Sequence, residues 1–146
     1  TEAGCPAVAD PGANLVALAQ SENIRVVPLI GPSSILLALM ASGLNGQRFA
    51  FQGYLPAKEI ERNKTLRELE AESRKRQQTQ IFIETPYRNR AMFDGILQSC
   101  HPATRVTVAT DLSLPSESVR TCSVQIWKKK TPPDIERRPT VFLLLA

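Results

Sequence analysis

The stretch IRVVPLIGPSSILLALMASGL, residues 24–44, decides the alternating α/β character of the chain. Its first seven residues are rich in β-branched side chains and predict a short buried strand. A glycine–proline turn then leads into a helix that Ser33 or Ser34 caps and Gly43 ends. Because this helix is apolar all round, we expect it to be buried on several sides.

The alternation continues on both sides of this stretch. DPGANLVALAQSEN (10–23) predicts a helix, since Asp10 is a good N-cap and Pro11 suits the first helical position. The polar segment 57–78 is expected to be a surface helix or a mobile excursion. The other predicted elements are strands in RFAFQGYL (48–55), TQIFIET (79–85), RVTVATDL (105–112) and TVFLLLA (140–146), and an amphipathic helix in RNRAMFDGILQSC (88–100).

This order of elements predicts an α/β fold that becomes mixed α+β toward its end. A loop, one helix and one strand cannot bury a core, so we expect residues 1–30 to be the end of a first parallel α/β domain whose earlier strands are absent. Residues 31–146 are then predicted to form a second α/β domain with a mixed sheet.

Composition and charge narrow the classes of function. Residues 1–56 carry two basic and three acidic side chains, whereas residues 57–146 carry sixteen basic and eleven acidic ones. A basic surplus of this size attracts polyanions but is also an ordinary aid to solubility. The three cysteines and the single His101 do not have the spacing of a disulfide framework or a metal site, and no apolar run is long enough for a membrane span. We therefore expect a cytoplasmic protein without metal.

Two turns are candidate ligand sites. Gly4 and Gly12 bracket a loop before the first helix, where backbone N–H groups suit a carboxylate or phosphate. Gly31 and Pro32 form the second turn, with serines that cap a helix or contact a ligand. From the residues alone, helix capping is the preferred interpretation of both turns, and ligand binding is the alternative.

The segment IFIETPYRNR, residues 81–90, is a third candidate. A buried strand ends at Glu84, and Arg88 and Arg90 then lie near the start of a helix, where cations are unfavourable. An ion pair between Glu84 and Arg88 or a bound anion accounts equally well for this placement. The mixed charges of segment 57–78 favour a solvated helix face over a nucleic-acid surface.

Five motifs in one order carry a family resemblance. They are EAGCPAVADPG (2–12), VVPLIGPSSILLALMASGL (26–44), FQGYLPAKEIER (51–62), IETPYR (83–88) and VATDLSLPSE (108–117). Together they resemble the S-adenosylmethionine-dependent tetrapyrrole (corrin/porphyrin) methylase superfamily, and most of all its branch of methyltransferases acting on ribosomal RNA of the small subunit. The resemblance implies two α/β domains with the cofactor in the cleft between them, a homodimer, and a chain that is the later part of a larger enzyme.

The resemblance also implies roles for residues. Cofactor contacts are expected from the loop with Gly4, Pro6, Asp10, Pro11 and Gly12, and from the turn with Gly31, Pro32, Ser33 and Ser34. Substrate contacts are expected from Lys58, Arg62 and Arg88, and the candidates for a general base are Glu84, Asp111, Glu117 and Lys58.

The chain departs from the RNA-methylating branch at two places. It has Thr85-Pro86-Tyr87-Arg88 where that branch usually reads Ser-Pro-His-Arg, and residues 110–114 read TDLSL where it reads Arg-Glu-Leu-Thr-Lys. Three functions therefore compete: methylation of a ribose 2′-hydroxyl in 16S ribosomal RNA, methylation of a tetrapyrrole or other small molecule, and a non-catalytic dimerisation or binding module. The chain by itself is expected to be inactive.

Overall fold

A computed structural model describes residues 4–146, in which a single five-stranded sheet is the central feature. The strand order is β1-β2-β5-β3-β4; β1 pairs with β2 in parallel and all other pairs are antiparallel. The strands are β1 (Phe49–Tyr54), β2 (Thr79–Ile83), β3 (Arg105–Thr110), β4 (Ser118–Ser123) and β5 (Thr140–Leu145). The predicted mixed α/β fold is therefore confirmed.

Five α-helices accompany the sheet within the described residues. They are α1 (Ala13–Ser21), α2 (Ser34–Ser42), α3 (Glu59–Arg76), α4 (Asn89–Ser99) and α5 (Val124–Trp127), with a 3-10 turn at Pro86–Arg88. Segment 57–78 thus forms a long surface helix, one of its two predicted forms. Gly43 ends α2 in the left-handed conformation with φ 66°, as predicted.

Each face of the sheet carries its own core. Because side chains alternate across a strand, Phe82 and Phe142 point to one face while Ile81 and Leu143 point to the other. The first face packs against α3, α4 and α5, and the second packs against α2. Strand β5 lies between β2 and β3 and is buried along its whole length, so the apolar run TVFLLL is the centre of the fold.

Two predictions of local structure are wrong, namely the strand at residues 24–30 and the residue at which the first helix begins. Residues 24–30 form no strand in the described part of the chain, and Leu29 and Ile30 are almost fully exposed. β-branched residues stabilise a strand only when a neighbouring strand pairs with them, and residues 4–146 provide no such partner. Helix α1 is capped by Gly12 at φ 131°, so Asp10 and Pro11 precede the helix instead of starting it.

Helix α2 is also less buried than predicted. Ile35, Ala38 and Leu39 pack against the sheet, but Leu36 and Met40 on the opposite side are 48% and 79% exposed. The apolar composition of a helix sets the largest surface that it can bury. The surface that is actually buried depends on how many neighbouring elements pack against the helix. Ser33 occupies the predicted N-cap position of α2, although its hydroxyl makes no capping hydrogen bond within residues 4–146.

Candidate functional site

A cleft of about 390 Å³ opens at the edge of the sheet where β1, β2 and β3 end and β5 begins. Ends of neighbouring strands are the usual place for ligands in α/β sheets. Three residues predicted from sequence meet there: Ser34 at the start of α2, Glu84 after β2 and Asp111 after β3. The remaining lining residues are Tyr54, Ile83, Pro86, Ala109, Leu112, Leu114, Pro139, Thr140 and Val141.

Glu84 is buried at this cleft, with a side chain that is 1% exposed. Its Oε1 accepts hydrogen bonds from the backbone N–H and hydroxyl of Thr85 and from Nε and Nη2 of Arg88, the last at 2.7 Å. The predicted ion pair between Glu84 and Arg88 is therefore present. The second oxygen, Oε2, is buried without a hydrogen-bond partner within residues 4–146. Since a buried charged oxygen is costly to leave unpaired, a donor from a bound molecule suits this position.

Asp111 lies in a left-handed conformation, φ 52°, immediately after β3. Its Oδ2 accepts hydrogen bonds from the hydroxyl of Ser116 at 2.6 Å and from Nε of Arg138 at 2.9 Å. The hydrogen bonds from Ser116 and Arg138, together with the charge of Arg138, hold the pKa of Asp111 below its ordinary value. The carboxylate is thus anionic at neutral pH.

The two turns predicted to contact a cofactor touch each other. A Cβ on Gly4, which has φ 100°, would lie 2.1 Å from the carbonyl oxygen of Pro32, so only glycine permits this close approach. The thiol of Cys5 donates to the same carbonyl at 3.3 Å. Ser34 follows two residues after Pro32 and lines the cleft, which places the opening loop beside the cleft.

Other predicted residues lie away from the cleft lining. Lys58 is an exposed residue that pairs with Glu61 at 3.5 Å. Arg62 is only 6% exposed and its Nη1 donates to the carbonyl of Ala57, a placement that does not favour the predicted phosphate contact. Glu117 accepts a hydrogen bond from the backbone N–H of Ser113 and closes the β3–β4 loop.

The sequence analysis did not identify Arg138 and Tyr54, two residues that contribute to the wall of the cleft. Arg138 lies 27 residues after Asp111 and donates also to the carbonyl of Ser116 and to Asp134. No local pattern marks such a contact, because it depends on the pairing of β3 with β5. Tyr54 reaches the cleft after an irregular register at the end of β1, where Gly53 has φ 67°.

The described part of the chain has no cluster of three or more His, Cys, Asp or Glu side chains that would hold a metal ion. Within residues 4–146, none of the helices combines the length and apolarity needed to cross a bilayer.

Comparisons with known proteins agree with this architecture. The chain is 36% identical over 149 residues to ribosomal RNA small subunit methyltransferase I of Escherichia coli O157:H7, an alignment that covers 100% of this chain and 50% of that protein. It is 38% identical over 120 residues to the protein of the same name from Pseudomonas aeruginosa, covering 82% of this chain and 41% of the relative. No protein-family model matches the chain.

Solved structures show the same fold. The methyltransferase CobJ superposes with a TM-score of 0.62 at 18% identity, covering 97% of this chain and 61% of that one. A cobalt precorrin-4 methyltransferase, CbiF, superposes with a TM-score of 0.61 at 17% identity, again covering 97% of this chain and 61% of the other. This chain has the fold of the tetrapyrrole methylases. It spans about half the length of the curated relatives that it matches.

The likeness to these solved structures concerns the fold alone, because identity is below one fifth. The uroporphyrin-III C-methyltransferase of Thermus thermophilus was crystallised with S-adenosyl homocysteine and superposes with a TM-score of 0.51 at 17% identity, covering 97% of this chain and 62% of that one. The sequence relatives carry the closer relationship, since they match this chain at about twice that identity.

Proposed function

We propose that this chain is part of an S-adenosylmethionine-dependent methyltransferase. The observation that carries the proposal is the match of the whole chain to ribosomal RNA small subunit methyltransferase I at 36% identity. The cleft fits the cofactor chemically: apolar side chains such as Ile83 and Leu112 suit an adenine ring, and the carboxylates of Glu84 and Asp111 suit a cation and its N–H donors. The unpartnered Oε2 of Glu84 is the clearest position for such a donor.

The proposed substrate is a ribose 2′-hydroxyl of 16S ribosomal RNA. The names of the relatives and the formal net charge of +4 support it. S-adenosylmethionine supplies an already activated methyl group, so the protein has to align an acceptor oxygen and exclude water. No side chain of this chain has to act as a nucleophile.

Of the candidate general bases, Glu84 and Asp111 are better suited to bind the cofactor than to accept a proton. Asp111 has a lowered pKa and accepts hydrogen bonds from Ser116 and Arg138, and these properties weaken it as a proton acceptor. Glu84 already accepts four hydrogen bonds through one oxygen. We therefore assign both carboxylates to orientation of the cofactor, with the turns at Gly4–Gly12 and Gly31–Ser34 forming the adjoining wall.

The proposal places the protein in the cytoplasm, since ribosomal subunits are cytoplasmic. It also includes a homodimer. The exposed side of α2 and the loop after β3 form a shallow apolar groove of about 320 Å³, lined by Leu37, Met40, Ala41, Leu112 and Glu117. We assign this groove to contact with a second copy, because apolar surface of this kind is removed from water in dimer interfaces.

Methyl transfer by the full-length protein tests the function. The protein is incubated with S-adenosylmethionine carrying a labelled methyl group and with small ribosomal subunits lacking modification, and the labelled nucleotide is mapped. We expect one labelled ribose in 16S RNA with the full-length protein and none with residues 1–146 alone. Intact cofactor binding without label in RNA would redirect the assignment to a small-molecule acceptor, and absence of cofactor binding would support a non-catalytic module.

A further inference from the structure

The basic residues of the second half of the chain are concentrated in two segments that differ in net charge. Helix α3 carries six basic and five acidic side chains, so its charge nearly cancels. Lys64 pairs with Glu68 at 3.8 Å, Arg76 pairs with Glu72, and Arg62 is buried. The other three, Arg67, Arg74 and Lys75, form no ion pair within residues 4–146 but lie among the five acidic side chains of the same helix. Mixed charges at such spacing form a solvated helix face and leave little field to attract a polyanion.

Residues 118–138, which comprise β4, α5 and the loop that follows, have a different balance. This segment carries six basic and two acidic side chains, a net charge of +4 that equals the formal net charge of the whole chain. Arg138 is paired with Asp111 and Asp134. The other five cations form no ion pair with any residue among 4–146; they are Arg120, Lys128, Lys129, Lys130 and Arg137.

One of these cations, Arg120, lines a groove of about 300 Å³ on the edge strand β4, and Lys128–Lys130 immediately precede the turn Thr131–Asp134 that also lines it. Arg120 and Arg138 line it together with the turn Thr131–Pro133. The guanidinium of Arg120 lies 5.8 Å from the ring centre of Trp127, a cation–π contact that holds Arg120 at the rim. The ring of Trp127 is itself buried and donates to the carbonyl of Val106, so the groove rests on a rigid floor.

Arg138 connects this groove to the cleft. It lines the groove, and its Nη2 lies 2.8 Å from Oδ2 of Asp111, which lines the cleft. The groove and the cleft lie on opposite faces of the sheet and meet at this ion pair, so an anion that extends past Arg138 reaches the rim of the cleft. A ribose–phosphate chain has the charge, the length and the repeating spacing to occupy both places.

We propose that the basic surface of residues 118–138, which includes the groove at Arg120, is the docking surface for the RNA phosphate backbone, and that α3 is not. This inference rests on the proposed function, because it supplies the RNA surface that the function requires. Unpaired cations bind phosphate by releasing condensed counterions, and each contact adds to the salt dependence of binding.

A comparison of two charge-matched variants of the full-length protein tests the docking surface. One carries Lys128→Gln, Lys129→Gln and Lys130→Gln; the control carries Lys64→Gln, Arg67→Gln and Arg76→Gln in α3. Both lose three positive charges, so their net charges are equal. Binding of a labelled small-subunit RNA transcript is measured at several salt concentrations, and binding of S-adenosyl homocysteine checks that each variant is folded.

We expect the substitution of Lys128–Lys130 to weaken RNA binding at least about tenfold at 0.1 M salt and to lower the slope of log K against log salt by about 2, since each phosphate contact contributes about 0.7–0.9. The α3 variant should keep the parent slope. Equal losses in both variants, a larger loss in the α3 variant, or no RNA binding by the parent would each overturn the docking surface. RNA that binds through this groove but receives no methyl group would overturn the proposed function and leave the docking surface supported.

Discussion

Arg138 holds the carboxylate of Asp111, with Nη2 2.8 Å and Nε 2.9 Å from the same oxygen, Oδ2. The same guanidinium donates to the carbonyl of Ser116 and to both the carbonyl and side chain of Asp134. One side chain thus joins the β3–β4 loop to the segment that leads into β5. This junction forms a wall shared by the cleft and the basic groove.

The Asp111–Arg138 pair makes stability depend on pH. Because the folded-state pKa of Asp111 is lower than its ordinary value of 3.8, its contribution is complete above that value and is lost as pH falls through the lowered pKa. We expect Asp111→Asn to reduce the urea midpoint at pH 7 and to flatten its decline between pH 5 and about 2. Asp94→Asn, which removes an exposed helical pair, is the control. If the urea midpoint of the Asp111→Asn protein fell with decreasing pH as steeply as that of the parent, this role of Asp111 would be contradicted.

Glu84→Gln tests the cofactor assignment. The amide keeps the shape of the side chain but removes the charge that receives Arg88 and the proposed ligand donor. We expect binding of S-adenosylmethionine to weaken by about 10- to 100-fold, corresponding to about 1.5–3 kcal/mol for a hydrogen bond to a charged group. Calorimetric titration measures the loss, and a melting curve verifies folding. Glu68→Gln on exposed α3 should bind like the parent; unchanged affinity of Glu84→Gln would remove Glu84 from the site.

Glu70 fastens α3 to the loop between α4 and β3. Its Oε1 accepts the backbone N–H of His101 at 2.7 Å and the hydroxyl of Thr104. Glu70→Ala leaves both donors without this acceptor in a buried place, so we expect a loss of about 2–3 kcal/mol in the free energy of unfolding. Urea denaturation measures it. Glu72→Ala, which breaks a partly exposed pair with Arg76, should lower the free energy of unfolding by less than about 1 kcal/mol. Similar losses in the two variants would contradict the stabilising role assigned to Glu70.

Cys100 is predicted to be unreactive in the folded protein. Burial, and secondarily the charge of Glu70, raise the pKa of its thiol to about 12. Only about one molecule in ten thousand then carries the thiolate at pH 8, and the thiolate is the reactive form. Iodoacetamide followed by peptide mass spectrometry should modify the partly exposed Cys5 and Cys122 first and Cys100 only after unfolding. Labelling of native Cys100 at the rate of Cys122 would contradict this prediction.

Met40→Lys tests the proposed dimer. Met40 is 79% exposed on α2 and lines the apolar groove, so a charge there costs little in a monomer and much in an interface. Sedimentation of the full-length protein should show at least about tenfold weaker dimerisation. Ile60→Lys, at a position on α3 that is 85% exposed, is the matched control. A dimer that tolerates Met40→Lys and fails with Ile60→Lys would place the interface on α3.

Local patterns were sufficient for most elements of the sheet and for part of the cleft. The apolar runs TQIFI and TVFLLL predicted β2 and β5, and Gly43 predicted the end of α2, because these signals act within a few residues. Glu84 was identified because a predicted buried strand ends there, whereas Asp111 was named among the candidate bases only after the family resemblance. Both line the cleft because strand ends meet at the same side of a sheet. The run at 24–30 has an equally strong strand pattern, but it remains unpaired in residues 4–146 because a strand also needs a neighbour.

The sequence by itself determined the mixed α/β class, the family resemblance and the carboxylate of Glu84 at a strand end, since all three follow from short-range order along the chain. Only the tertiary structure decided that Arg138 reaches Asp111, that Arg62 is buried, and that Arg120 lines a groove beside Trp127. The positions of Arg138 and Arg120 depend on the antiparallel pairing of β3 with β4 and β5, which joins residues from 8 positions apart (Thr110 and Ser118) to 40 positions apart (Arg105 and Leu145). Pairing of this range is set by how the two cores pack, and no local pattern of residue types encodes it.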